Sequence, residues 1–130
     1  MTERADDRAR LALARMRALT GGLAGWTTPD SKSGFIAYAP VGSIKKGEAL
    51  VTTGGGKTIK CSICHGADLK GLGNVPSIAG RSPSYIARQL YDIQKGNRNG
   101  PWTQLMKEAV AKLTVDDMVS ITAYLASRTP

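Results

Sequence analysis

The sequence predicts an all-α fold for this 130-residue chain. Apolar residues recur at helical spacing in five separate stretches, four of them followed by glycine or proline. No stretch shows the two-residue alternation of a half-buried strand. Hydrophobic residues make up 42% of the chain but aromatics only 5%, which is thin for a core of this size unless another large apolar body joins the packing. By length the chain is one domain with a tail.

Residues 4–19 are rich in Ala, Arg and Leu, and Ala5, Ala9, Ala12, Met16 and Leu19 share one face, so a helix is predicted there. Its apolar face is weak and its polar face basic, which fits a helix lying on the domain surface better than a docking arm. Gly21, Gly22, Gly25 and Pro29 end the pattern, and the stretch to about Pro40 reads as loop, with Trp26, Phe35 and Tyr38 as aromatic anchors or an interface. The resemblance drawn below, which begins at about Ser43, implies that residues 1–42 are an extension and residues 43–130 the domain proper.

From Ser43 the recurrence of Ile44, Gly47, Leu50 and Val51 predicts a helix that the Gly54-Gly55-Gly56 run terminates. That run, with Lys57 and Thr58, has the look of a phosphate loop. It is not one, because the first glycine of that pattern would fall on Val51 and no strand precedes it. The three glycines are expected to form a flexible link into the cysteine-bearing segment.

That segment is Cys61-Ser62-Ile63-Cys64-His65: two thiols three residues apart with a histidine directly after the second, the spacing that attaches a haem covalently. The sulfurs become thioethers on the haem vinyl groups, and one helical turn aims His65 at the iron. The flanking sequence lacks the strand and helix alternation of a thioredoxin-like redox motif. With only two cysteines and one histidine in the chain, a four-ligand Cys/His zinc site cannot be completed. A plain disulfide would leave His65 without a role.

Residues 66–76 are a loop by their Gly and Pro content, and a loop passing under His65 can offer a carbonyl to Nδ1–H so that Nε2 meets the iron; Pro76 is placed to shape it. Ser82 and Pro83 start the next helix, with Tyr85, Ile86, Gln89, Leu90 and Ile93 at helical spacing up to Gly96. Residues 97–101 read as loop and 103–111 as a short helical piece that contains Met106. Thr114 caps the last helix with Asp117 three residues on, and Met118, Ile121, Tyr124 and Leu125 form its apolar stripe.

From about Ser43 to Pro130 the chain resembles a class I cytochrome c, in particular the short bacterial one-haem domains found alone or as halves of dihaem carriers. Beyond the Cys61–Gly66 motif, Gly47 with Val51 matches the family's first helix, and Ile121 with Tyr124 its last. Those helices cross closely, which needs a glycine at the contact. The resemblance implies one haem c held through Cys61 and Cys64, with His65 and a methionine as axial ligands. Met106 stands at the interval before the last helix where the family places that sulfur. Met118 is the competitor, although it lies on the core stripe, and an open iron site is the other alternative. Arg81 and Trp102 match loosely the positions that neutralise haem propionates, and Tyr85, Ile86 and Leu90 are expected to wall the haem, a role that ordinary core residues would also fill.

An iron with two protein ligands changes oxidation state without binding substrate, and no Ser-His-acid set or paired-carboxylate context points to further chemistry. The chain reads as a one-electron carrier, with an electron-entry domain of a larger oxidoreductase and an open-site sensor or peroxidase-like protein as alternatives. The formal charge of +8 suits redox partners with acidic docking faces. Nucleic acid is disfavoured, since aromatics and Arg-rich helical motifs are not interleaved. No apolar run approaches the roughly 20 residues of a membrane span, which leaves room for a membrane-associated complex only through partners. Residues 1–17 lack the apolar core of a signal peptide. Since the family's haem attachment takes place outside the bacterial inner membrane, a periplasmic location is expected, the leader removed or replaced or the domain cut from a longer chain. Oligomeric state is not legible.

Overall fold

The structure, a computed structural model, describes residues 36–130. The helix expected at 4–19, the breaks after it, and Trp26 and Phe35 lie outside the described residues. Five α-helices are described, in chain order: α1 (Ser43–Thr53), α2 (Ser62–His65), α3 (Pro83–Lys95), α4 (Gln104–Val110) and α5 (Val115–Ser127), with a 3₁₀ turn at Pro101–Thr103 leading into α4. Among the described residues there is no strand, only an isolated antiparallel bridge between Leu72 and Val75.

α5 is the element on which the others assemble. Thr114 and Asp117 form a reciprocal capping box at its start: the Thr114 hydroxyl accepts from Asp117 N at 3.1 Å, and Asp117 Oδ2 accepts from Thr114 N at 2.9 Å. Burial spreads beyond the expected stripe of Met118, Ile121, Tyr124 and Leu125 to include Ser120, Thr122, Ala123 and Ala126. The wider burial has a physical cause, since α1 and α3 both pack on α5. Small residues are what allow so much of one helix to be covered. Upstream of α1, Ala39 is buried with Ala123 against Ile44 and Val119, while Tyr38 is exposed.

The α1–α5 crossing is close at Gly47. A Cβ built there would lie 1.9 Å from Ser120 O and 2.9 Å from Tyr124 Cβ, so any side chain forces the backbones apart. Tyr124 is the partner that the sequence suggested, and the Ser120 carbonyl, not Ile121, is the nearest atom. Ile121 belongs instead to the main core with Leu50, Val51, Ile86, Leu90, Ile93, Val110, Leu113, Met118 and Leu125.

α3 begins as expected with Pro83 at its first turn, but Ser82 makes no side-chain capping bond. Proline already lacks one of the N–H groups a cap would serve. The Gly54-Gly55-Gly56 run is a correction to the expectation of a flexible link. All three residues adopt left-handed conformations, with φ of 83°, 53° and 75°, and a Cβ on Gly54 would meet Thr58 O at 2.3 Å. The glycines build a defined turn that L side chains resist.

Candidate functional site: a haem-attachment centre

The single turn α2 is tied to α1 at its start and closed by its own backbone bond. Cys61 N donates to Val51 O of α1 at 3.1 Å, and His65 N donates to Cys61 O at 2.9 Å. Cys61 is half-buried and Cys64 is exposed.

His65 is buried, and its Nδ1 lies 2.7 Å from Pro76 O. A carbonyl only accepts, so Nδ1 carries the proton and Nε2 is left as the nitrogen with a free lone pair. The expected carbonyl is thus found, and it is Pro76's own.

The loop after α2 is braced to present that carbonyl. Gly71 N donates to His65 O at 2.8 Å, and Leu72 and Val75 exchange bonds at 3.1 and 3.0 Å. Leu69 O accepts from both Ile78 N and Ala79 N, at 2.9 and 3.0 Å, and Gly80 N reaches Leu125 O of α5 at 2.8 Å. Leu69 is the one non-glycine described with a left-handed backbone, φ 63°. Such strain costs about 1 kcal/mol or more, and the buried Leu69 side chain and doubly used carbonyl offset it.

Met106 sits on α4, partly buried and packed against the main core, whereas Met118 is fully within that core. Arg81 is exposed and its Nε donates to Ser77 O at 3.1 Å. Tyr85 and Trp102 are exposed, while Ile86 and Leu90 are buried in the core. Hydrogen bonding therefore joins His65 to Pro76 among the expected residues.

The residues present fit a covalently held haem. Two cysteines share one helical turn, the adjacent imidazole has its Nδ1 already engaged, and a methionine stands on a separate element. The segments bearing these groups also carry exposed apolar side chains, Ile63 within the motif, Leu72 in the loop after it, and Trp102 and Leu105 just before Met106.

Sequence reasoning missed the clamp around this centre. Lys57, four residues before Cys61, donates to Asp117 Oδ2 at 2.8 Å, and Lys46 of α1 pairs with Asp117 Oδ1 at 3.1 Å and with Asp116. Burial would raise the Asp117 carboxyl, but the hydrogen bonds from Lys57, the Thr114 backbone and Lys46 outweigh it and hold it well below the usual carboxylate range. Lys46 is correspondingly raised, first by its bond to Asp116. Asp117 was legible as a cap; its lysines are 60 and 71 residues away in sequence (117 − 57 and 117 − 46), with no local pattern to mark them.

The sequence profile of the family "Cytochrome c" matches residues 44–129. Cytochrome c4 of Stutzerimonas stutzeri is 34% identical over 106 residues, covering 74% of this chain and 48% of that protein. The cytochrome subunit of sulfide dehydrogenase of Chlorobaculum tepidum is 36% identical over 70 residues, 52% of this chain and 62% of that one. The solved structure of Acidithiobacillus ferrooxidans cytochrome c4 superposes with a TM-score of 0.60 at 33% identity, over 65% of this chain and 49% of that chain. The chain spans about half the length of the cytochrome c4 relatives it matches. With the profile, the helical architecture and the Cys61–His65 turn in agreement, the chain belongs to the cytochrome c family and carries one haem c attached through Cys61 and Cys64.

Proposed function

We propose that this domain is a one-electron carrier in which His65 Nε2 and Met106 Sδ are the axial ligands of the haem iron. The observation that carries the reading is the 2.7 Å bond from His65 Nδ1 to Pro76 O, which fixes the tautomer a metal-binding imidazole needs. Haem supplies reversible one-electron chemistry, and its potential responds to axial ligand and burial. The chain's own residues fix the ring by Pro76, offer the thiols from one helical turn, and bring a weak sulfur donor from α4. With Met106 as its second ligand the iron would have no vacant position for substrate, which fits a role in electron transfer.

Arg81 and Trp102 are proposed as donors toward the propionates, and Tyr85 as part of the haem wall. Residues 43–130 form the haem unit and residues 1–42 an extension. The likeness to haem c carriers supports a periplasmic setting. Redox partners with acidic docking faces suit the net charge of +8. Similarity to the cytochrome subunit of a sulfide dehydrogenase favours a second reading, in which the domain feeds electrons into a larger oxidoreductase. Copurification in a stable complex distinguishes that role from a free carrier.

Carbon monoxide added to the reduced protein tests the closed iron. The reading predicts little binding without denaturant. Ready binding would mean an open site and would replace the carrier with a sensor or peroxidase-like protein.

A further inference from the structure

α4 carries Met106 on only seven residues, Gln104–Val110, about two turns, too few for a helix to hold itself in water. Its last carbonyls have no partner within the helix. Two of these carbonyls, and that of Leu113 just beyond, are met from elsewhere in the fold. Thr58 Oγ1 donates to Ala109 O at 2.6 Å, and Gln94 Nε2 donates to Val110 O and to Leu113 O, both at 2.7 Å. Only the NH₂ end of a glutamine has two hydrogens for two carbonyls, so the amide has one possible orientation.

These donors come from the chain on either side of the attachment turn. Thr58 lies three residues before Cys61, and Gln94 lies on α3, the next full helix after it. Ala109 and Val110 come three and four residues after Met106 and so stand next to it along the helix surface. At the other end of α4 the side-chain bonds stay local, Thr103 Oγ1 to Gly100 O and Gln104 Nε2 to Asn99 O. The end held from afar is the end one turn beyond the methionine.

Resting on the reading of Met106 as a ligand, we propose that Thr58 and Gln94 are positioning residues that hold the Met106 segment so that the sulfur stays on the ferric iron, the oxidation state in which thioether binding is weaker. Loss of either donor leaves the attachment turn intact and lets α4 swing away more often. The sulfur then yields more readily to a competing ligand.

The test is an imidazole titration of the haem-loaded ferric protein, monitoring loss of the weak far-red band of sulfur-bound iron. Thr58→Val and Gln94→Met are expected to bind imidazole roughly three- to tenfold more tightly than the parent, the factor that one net hydrogen bond represents. Thr58→Ser, which keeps the hydroxyl, is expected to behave as the parent. Ile121→Val, a core change on α5 that leaves both donors and their acceptors in place, is expected to lower the unfolding midpoint and leave imidazole affinity unchanged. Parent-like affinity in both Thr58→Val and Gln94→Met would overturn the proposal alone. An equal gain in Ile121→Val would overturn it too, by showing general loosening. A parent protein with no far-red band would overturn the Met106 ligation and this proposal with it.

Discussion

Gly47 shows how one residue without a side chain can set a helix crossing. The Cβ that alanine would add meets Ser120 O at 1.9 Å, and the backbone carbonyl cannot turn aside as a side chain could. Gly47→Ala is predicted to lower stability by about 1–3 kcal/mol through overpacking, in spite of the roughly 1 kcal/mol that alanine gains in helix propensity. Gly47→Leu should do more damage. Denaturant unfolding of the haem-loaded variants measures both, and an unchanged midpoint would contradict the crossing. At this scale the sequence was most informative where one residue type does the chemistry: Cys61, Cys64, His65 and Gly47 stood out by identity and spacing. Thr58 and Gln94 did not, because their acceptors are backbone carbonyls, which look the same in every residue of a sequence.

Among the elements, α5 and its acidic start hold the fold around the attachment turn. Asp117 is fully buried and joins α5 to α1 through Lys46 and to the segment before Cys61 through Lys57. Asp117→Asn keeps an acceptor for the cap and removes the charge. It is predicted to cost about 1–3 kcal/mol near neutral pH, below the value for a wholly buried pair because both lysines are partly exposed. The folded carboxyl lies below its unfolded value of about 3.9. Its stabilisation is therefore complete above that pH and is lost as the pH falls toward the folded value. The gap between parent and Asp117→Asn should be constant near neutrality and shrink below about pH 4. A gap that widens in acid would contradict the assignment.

Helix existence was legible in this region because apolar spacing runs along α1, α3 and α5, with glycine stops after α1 and α3 and a capping box opening α5. The extent of burial on α5 was not, since it depends on how many neighbours close over Ser120, Thr122 and Ala123. The Gly54–Gly56 turn was misread for a related reason. Glycine in a sequence marks conformational freedom, and only the fold reveals that the freedom is spent on three left-handed residues.

Over the whole molecule, charge and haem ligation decide function. Lys46 and Lys57 are engaged with Asp116 and Asp117, while Lys60 and Lys70, on either side of the attachment turn, are exposed and contribute to a field that an acidic partner would meet. Electron exchange with an acidic redox protein is predicted to slow several-fold as ionic strength rises through the physiological range. Stopped-flow rates that ignore salt would contradict electrostatic docking. No helix among the described residues is long and apolar enough to cross a membrane.

The most direct measurement is the absorption spectrum of the haem-loaded protein, oxidised and reduced, for the parent, Met106→Ala and Met118→Leu. The account predicts a thioether-type haem spectrum with the far-red band of sulfur-bound ferric iron, lost in Met106→Ala and kept in Met118→Leu. A high-spin parent spectrum, or a band that survives Met106→Ala, would contradict it.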